Sequence, residues 1–334
     1  MINSLRRPII AGMDRVMPFV RVEGDKVRSL KIEYNLTDHC NYGCDECSHF
    51  SPYLTRKESS LEGFRKDLAA LAKVMRVFRF LFVGGEPLLH RDILGHIAAV
   101  RESGIAGEVQ ICTNGALLDR VPEEVFAAID SLSISWYPDP RCDQAKVDRA
   151  VSTCERVGTR VGVHKIDTFR QMQVGRPLTD RALVQEVYDS CHIAHRWYCQ
   201  TFYEGRFYLC SRPIFTNAYL AKLGVEAPDF RELDGIPLHE PDLKGRLLAL
   251  LRSDKPLAAC DYCLGTVGRR QPWRQLPTAD RKAPRAPAKG PTELIDRQHL
   301  MRQRISRWLP LRSMLLLAPR PFVAWALPYL SPSL

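Results

Sequence analysis

The sequence predicts an α/β fold in which a parallel sheet, open or curled into part of a barrel, precedes a small module of a β-hairpin and a helix. Between residue 29 and about residue 167, short apolar runs alternate with longer segments of helical periodicity. This alternation is the pattern of βα units, which build parallel sheets. After about residue 170 the alternation stops and a hairpin pattern replaces it.

Five strands and four helices are predicted in the first part. The strand candidates are short, rich in Val, Ile and Phe, and bounded by Gly, Pro, Asn or Asp. Chemistry is expected at their carboxyl ends, whichever form the sheet takes. The strands are predicted at 31–36, 79–84, 108–113, 131–135 and 159–166, and the helices at 59–76, 90–104, 122–130 and 142–157.

The second part is predicted to hold a hairpin at 197–210, turning at Glu204-Gly205, and a helix at 242–254. The run at 277–291 is rich in Pro, Ala and basic residues, which is typical of a linker. We therefore predict an N-terminal extension at 1–28, a core at 29–187, the smaller module at 188–268, and a linker with a tail at 269–334.

The net charge of +10 is concentrated near the end of the 334-residue chain. Between Arg269 and Arg320, 13 Lys and Arg stand against 3 Asp and Glu. The tail there is basic and amphipathic, which favours either peripheral membrane contact or packing on the protein or a partner. Its charge accompanies bulky aliphatic residues, which argues against nucleic-acid binding. No segment has the roughly 20 uninterrupted apolar residues of a membrane span.

The chain has eleven cysteines, an odd number, and its first residues lack the apolar run of a signal peptide. We therefore predict a cytoplasmic location, with a peripheral position at the inner membrane surface as the alternative that the tail raises. In the cytoplasm, clustered cysteines more often ligate metal or perform chemistry than form disulfides.

Three cysteines lie in eight positions, CNYGCDEC at 40–47, directly after the first predicted strand. The spacing C-x3-C-x2-C supplies three thiolates, one fewer than a structural zinc site uses. A cubane [4Fe–4S] cluster held this way keeps one iron open. The motif GGEP, Gly84 to Pro87, follows at the end of the second predicted strand, where glycines let the backbone approach a ligand closely.

In this order the two motifs resemble those of the radical S-adenosylmethionine (SAM) enzymes, over about residues 31–167. The resemblance implies a partial (β/α) TIM-like barrel and a [4Fe–4S] cluster on Cys40, Cys44 and Cys47, with SAM on the fourth iron. It implies reductive cleavage of SAM to a 5′-deoxyadenosyl radical, with electrons from a donor such as flavodoxin or ferredoxin.

The same resemblance implies contacts to the SAM molecule. Many members have an aromatic residue before the third cysteine, whereas this chain has Glu46, so Tyr42 or Phe50 is expected to take over the adenine contact. The implied SAM-binding residues are Gly84, Gly85 and Glu86 for the methionyl amine, with Asn114 and Ser135 as further contacts.

A second set of cysteines, Cys191-x13-Gly205-x4-Cys210 followed by Cys260-x2-Cys263, resembles the twitch module, a shorter form of the SPASM module. That module holds one auxiliary [4Fe–4S] cluster, and four thiolates leave no iron open, which suits electron transfer. Hairpin pairing favours Cys199 over Cys191 as the first ligand; family spacing favours Cys191, which we adopt. A four-cysteine zinc site stays open as an alternative.

These features predict a radical SAM oxidoreductase that dehydrogenates a small polyol, sugar or sugar-like metabolite. Two alternatives remain. One is a peptide- or protein-modifying maturase, and the other is a non-enzymatic iron–sulfur or zinc protein. No catalytic residue beyond the cofactor-binding set is predicted.

Overall fold

The structure, a computed structural model, describes residues 20–284 and 286–306. Eleven strands are described there, nine of which form one central sheet. The strands are β1 (Arg21–Glu23), β2 (Lys26–Thr37), β3 (Met75–Gly84), β4 (Ala106–Thr113), β5 (Ser131–Trp136), β6 (Arg160–Lys165), β7 (Thr168–Arg170), β8 (Thr201–Tyr203), β9 (Arg206–Tyr208), β10 (Ile236–Pro237) and β11 (Arg270–Pro272).

The helices within residues 61–156 pack against the sheet in the main apolar core. All five predicted helices match at both ends within about three residues, and the one predicted at 122–130 is the shortest of them, with 5 residues. The helices are α1 (Leu61–Val74), α2 (Ile93–Ser103), α3 (Glu123–Ala127), α4 (Gln144–Arg156), α5 (Arg181–Asp189), α6 (His192–His195), α7 (Arg212–Lys222), α8 (Phe230–Asp234), α9 (Leu243–Leu251), α10 (Thr278–Lys282) and α11 (Arg297–Ser306).

The predicted α/β fold is confirmed. Strands β2 to β6 are neighbours in chain order, and each adjacent pair is parallel. The sheet continues from β2 through β8, β9 and β10, so its edges are β6 and β10 and the barrel is partial rather than closed. Strand β3 starts directly after α1, and Met75 belongs to both. Its N–H donates the last helical hydrogen bond, to the Leu71 carbonyl, while its own backbone is already extended.

The two faces of the sheet differ in chemistry, as the two-residue period of a strand requires. Alternate residues such as Ile32, Tyr34 and Phe80 pack with Phe64 of α1 in the main apolar core. On β2 the intervening residues from Lys31 to Thr37 are polar. Lys31 and Glu33 form a buried ion pair of 2.8 Å on that side.

The predicted hairpin is present, with Glu204 and Gly205 at its turn. Both have positive φ, 45° and 77°, as a two-residue hairpin turn favours. Tyr203 pairs with Arg206, and the ladder ends at Thr201 and Tyr208. Because β8 also pairs with β2, the smaller module continues the main sheet.

The region beyond residue 269 does not begin as a free linker. Strand β11 pairs antiparallel with β7, and the Leu276 N–H bonds the Gly43 carbonyl at 2.7 Å. Proline-rich and basic composition disfavours an independent core, but it does not prevent a short segment from pairing with a neighbour. The apolar segment at 308–330 lies outside the described residues. Among the described helices, none combines the length and apolar character that crossing a membrane requires.

Candidate functional site

The three-cysteine loop, defined as residues 40–47, follows β2 at the carboxyl edge of the sheet, as predicted. The end of β3 packs directly on the chain that enters it. The Gly85 N–H donates to the Thr37 carbonyl at 2.7 Å, and the Glu86 N–H donates to the His39 carbonyl at 3.1 Å. A Cβ on Gly85 would lie 1.8 Å from the His39 oxygen. Gly85 is therefore required for the contact between the GGEP motif and the loop.

The Glu86 side chain ties the ends of neighbouring strands together. Its carboxylate accepts from the Thr113 hydroxyl at 2.7 Å, the Asn114 N–H at 2.8 Å and the Leu88 N–H at 3.1 Å. The residue is fully buried, and burial raises the pKa of its carboxyl to about 7. Both carboxylate oxygens are thus engaged within the protein.

Asn114 is held beside the loop by this arrangement. Its side-chain amide donates to the Asn41 side-chain oxygen at 2.7 Å and to the Cys40 sulfur at 3.4 Å. Ser135, on the neighbouring strand β5, comes one residue after Ile134, the partner of Thr113, and its hydroxyl is 3.7 Å from the Cys112 sulfur. Of these two predicted SAM contacts, the structure therefore places Asn114 against a loop cysteine and Ser135 against Cys112.

A segment that the sequence analysis assigned to the linker covers the loop. The Trp273 indole N–H donates to the Cys44 sulfur at 3.1 Å, and the Gly43 N–H donates to the Gln275 side-chain oxygen at 2.7 Å. Gly43 has no positive φ; the Arg281 guanidinium occupies the space a side chain there would need. Trp273 was missed, although a lone Trp within a Pro-rich basic stretch is a signal of packing.

Aromatic rings surround the same loop. Tyr137 stacks on Trp273 with ring centres 5.2 Å apart, and Tyr42 meets both rings edge-on at 5.9 and 6.0 Å. Phe50, the other residue considered for the adenine, lies in a different cluster with Tyr219. Flat apolar surface beside the loop therefore comes from Tyr42, Tyr137 and Trp273.

Glu46 has a structural partner that the sequence did not reveal. Its carboxylate is buried and accepts from the backbone N–H groups of Met172 and Gln173, at 2.8 and 3.0 Å. Burial raises the pKa of Glu46 to about 7. The Gln173 side chain also donates to the Cys47 carbonyl at 2.8 Å, so residues 172–173 are bound to the loop at two points.

The later cysteines gather around one cavity. Cys191, Cys210, Cys260 and Cys263 all line it. Burial raises the pKa of the Cys191 thiol to about 11. Gly265 lies against this group; its N–H donates to the Cys263 sulfur at 3.2 Å, and a Cβ on it would be 3.2 Å from the Cys191 sulfur.

Cys199 is not part of this group. It is buried beside Glu33 and Lys31, on the polar face of the sheet. The hairpin ladder ends before either Cys199 or Cys210, so pairing across the hairpin does not bring their side chains to one cavity. Cys191 and Cys199 pack in the same apolar cluster, but of these two alternatives for the first ligand Cys191 lines the cavity and Cys199 does not.

Met172 and Gln173, which bind the three-cysteine loop, also contact the segment of the later cysteines. Gln173 and Cys263 form a β-bridge, and the Leu264 N–H bonds the Met172 carbonyl at 3.1 Å. Since residues 172–173 also hold Glu46 and Cys47, they form a direct link, hereafter the 172–173 link, from the loop to the later cysteines.

The donor chemistry of both sites suits iron–sulfur clusters. All eleven cysteines are free thiols, and those of the loop and the cavity are the soft ligands that such clusters use. Among the described residues, no three His, Cys, Asp or Glu side chains converge as closely as a single bound ion would hold them.

Comparison with known proteins shows where the chain resembles others. Residues 34–137 match the family model of the radical SAM superfamily. An S-adenosylmethionine-dependent nucleotide dehydratase of Selenomonas ruminantium is 32% identical over 109 residues, which cover 31% of this chain and 38% of that protein. A GTP 3′,8-cyclase of Gloeobacter violaceus is 30% identical over 143 residues, which cover 38% of this chain and 43% of that protein. The chain thus spans about two-fifths of the length of these relatives.

Solved structures with a related arrangement include BtrN in complex with AdoMet and 2-DOIA. It is 15% identical, with a TM-score of 0.39, over 70% of this chain and 92% of that chain. Streptococcus suis SuiB bound to S-adenosylmethionine is 16% identical, with a TM-score of 0.36, over 49% of this chain and 39% of that chain.

Proposed function

We propose that this chain, which contains a radical SAM domain at residues 34–137, is an oxidoreductase that dehydrogenates a small polyol, sugar or sugar-like metabolite. One observation supports this most: the chain has three thiols in one loop at the carboxyl edge of the sheet and four thiols around a separate cavity. The first set leaves a coordination position for a cosubstrate, whereas the second fills every position and suits electron transfer.

In this proposal Cys40, Cys44 and Cys47 hold the first [4Fe–4S] cluster. When bound, the cluster and SAM supply a 5′-deoxyadenosyl radical that removes a hydrogen atom from a substrate C–H bond. The chain's own residues position these groups. Trp273 donates to the Cys44 sulfur, and Asn114 donates to the Cys40 sulfur.

SAM binding is proposed for the edge formed by the GGEP motif. Gly84, Gly85 and Glu86 remain the proposed contacts for the methionyl amine, and the backbone is favoured over the Glu86 carboxylate, whose oxygens are already engaged. Ser135 is proposed as a contact to the ribose or the carboxylate of SAM, and Asn114 as a further contact. Tyr42 stays a predicted adenine contact, but it is buried and the Arg141 guanidinium lies 3.9 Å over its ring. The flat surface proposed for adenine is therefore that of Tyr137 and Trp273.

The second site is proposed to hold an auxiliary [4Fe–4S] cluster on Cys191, Cys210, Cys260 and Cys263. Its shared cavity supports this set over one that contains Cys199. An alcohol carbon that has lost a hydrogen atom becomes a carbonyl by losing one more electron and one proton. The second site would take that electron, which gives a net two-electron oxidation.

The polar face of the sheet supports a small hydroxylated substrate. Lys31 and Glu33 lie there as a buried pair, and both polar ends of the buried Asn35 side chain lack a hydrogen-bond partner. Such a surface suits hydroxyl groups better than apolar side chains.

A nucleotide is a second candidate substrate, because the two relatives named above are a nucleotide dehydratase and a GTP cyclase. A peptide- or protein-modifying activity is a third. These candidates differ in a direct assay. With uniformly deuterated polyols, nucleotides or a peptide library, only the true substrate transfers deuterium into 5′-deoxyadenosine.

The proposed partners are the small substrate and a one-electron donor such as flavodoxin or ferredoxin. A cytoplasmic location and peripheral membrane contact through the tail stay predictions, as does the absence of nucleic-acid binding. The described part of the tail packs on the protein: Leu294 and Leu300 are buried in one apolar cluster with Val187, and Arg304 pairs with Glu186 at 2.7 Å. Residues 307–334 lie outside the described range.

Counting metal tests the proposal. Anaerobically reconstituted protein should contain about eight irons per chain, since each [4Fe–4S] cluster contributes four. About four irons with one zinc per chain would contradict the auxiliary cluster. No iron bound at all would contradict the whole proposal.

A further inference from the structure

Arg212 is a buried cation beside the second cysteine site. It opens helix α7, two residues after Cys210, and only 4% of it is exposed. The residue lines the cavity that the four cysteines share. Its backbone N–H also donates to the Cys210 sulfur, so side chain and backbone both belong to this site.

The Arg212 guanidinium contacts a sulfur atom and an aromatic ring. One terminal nitrogen lies 3.3 Å from the Met172 sulfur, and the guanidinium carbon lies 4.7 Å over the Phe50 ring. Met172 is part of the 172–173 link, and Phe50 follows the three-cysteine loop. Arg212 therefore occupies the space between the two cysteine sites.

No carboxylate lies within 4.0 Å of this cation among the described residues, and the buried Glu46 carboxylate interacts with it only from beyond that distance. Its other terminal nitrogen is buried and has no hydrogen-bond partner there. A buried charge without a close counter-charge costs several kcal/mol, so such groups are normally paired. An anion in the adjoining cavity would remove that cost.

Four thiolates supply this anion, because their combined charge exceeds that of an iron–sulfur core. We infer that Arg212 compensates the charge of the auxiliary cluster and raises its reduction potential, which helps it to accept an electron from the direction of the first site. The inference rests on the proposed function, in which the second site holds a [4Fe–4S] cluster that takes one electron from the substrate radical while the substrate loses one proton.

The test is an EPR-monitored redox titration of the reconstituted full chain, with iron and zinc counted in each sample. The variants are Arg212→Lys, which keeps the charge, and Arg212→Gln and Arg212→Met, which remove it. Arg206→Gln is the matched control. Arg206 lies on the hairpin strand that precedes Arg212, and its charge is already paired with Glu232. We expect the second cluster's midpoint potential to shift to more negative values in the two neutral variants, and to stay near the wild-type value in Arg212→Lys and Arg206→Gln.

Loss of the second cluster's iron in both neutral variants, with retention in Arg212→Lys, would also support charge compensation. Two other results would overturn it. One is an unchanged second potential in a neutral variant that retains about eight irons, which leaves the proposed function intact. The other is zinc in the second site of the wild type, which removes the auxiliary cluster and this inference together.

Discussion

The two cysteine sites of this chain are built in opposite ways. The first uses three residues within eight positions, Cys40 to Cys47, on one loop at the edge of a parallel sheet. The second gathers Cys191, Cys210, Cys260 and Cys263 from three separate segments around one cavity. Local backbone geometry therefore determines the first site, whereas tertiary packing determines the second. A substitution that disrupts one site should therefore leave the other site largely intact.

The largest difference in effect between the two sites is expected from Gly85→Ala. The new Cβ would lie 1.8 Å from the His39 carbonyl oxygen and 2.9 Å from the Cys40 nitrogen, both of them backbone atoms. We expect a loss of about 3 kcal/mol or more in the free energy of unfolding, measured by chemical denaturation. The first cluster should be lost while the iron of the second remains.

Gly107→Ala is the matched control for that variant. A Cβ there would meet only the Phe78 carbonyl, at 3.4 Å, which is ordinary contact. If Gly85→Ala matched Gly107→Ala in stability and in iron content, the close packing of GGEP on the loop would not be what positions the first site.

A second large effect distinguishes the two candidate ligands of the second site. Cys191→Ser should reduce iron from about eight to about four per chain, because it removes one of the four thiols around the cavity. Cys199→Ser should keep all of it, since Cys199 lies beside Glu33 instead. Loss of iron in Cys199→Ser with retention in Cys191→Ser would identify Cys199 as the ligand and contradict the proposed ligand set.

An intermediate effect is expected at Glu86, which connects the ends of β3 and β4. Its folded-state pKa is about 7, against an ordinary value of 4.5, so the folded protein binds this proton more tightly than the unfolded chain does. Its contribution to stability is therefore complete below about pH 4.5 and is lost as pH rises through about 7. Between about pH 4.5 and about pH 7, the free energy of unfolding should therefore fall less in Glu86→Gln than in the wild type. Denaturant titrations at several pH values measure this difference.

The smallest effect is expected from Trp273→Phe. The change removes the N–H that donates to the Cys44 sulfur at 3.1 Å but keeps a ring to stack on Tyr137. Hydrogen bonds to cluster sulfurs raise reduction potentials. The first cluster's midpoint potential should therefore become more negative while the second stays constant. Equal shifts in both clusters would indicate a global change instead.

The difference between the sites also explains what the sequence could predict. The strand ends, the three-cysteine loop and the GGEP motif are local patterns, and the parallel order of β2 to β6 follows from alternating βα units. The choice between Cys191 and Cys199 was open, because it depends on where the hairpin ladder ends. No local pattern specifies that end point.

Contacts over long sequence distance were missed altogether. Trp273 reaches Cys44 only because β11 pairs with β7, within a stretch whose composition indicated a linker. Glu46 stood out as a departure from the family pattern, yet its partners Met172 and Gln173 lie about 126 residues away. Arg212 was not selected, since a single arginine carries no signal until its burial and its lack of a carboxylate partner are known.

The central claim is that the first site cleaves SAM and the second does not. The direct measurement is the yield of 5′-deoxyadenosine from SAM in anaerobically reduced, reconstituted protein. The wild type should form it, the triple variant Cys40→Ala, Cys44→Ala and Cys47→Ala should form none, and the double variant Cys260→Ala and Cys263→Ala should still form it. A wild type that yields no 5′-deoxyadenosine, or a triple variant that yields as much as the wild type, would contradict the account.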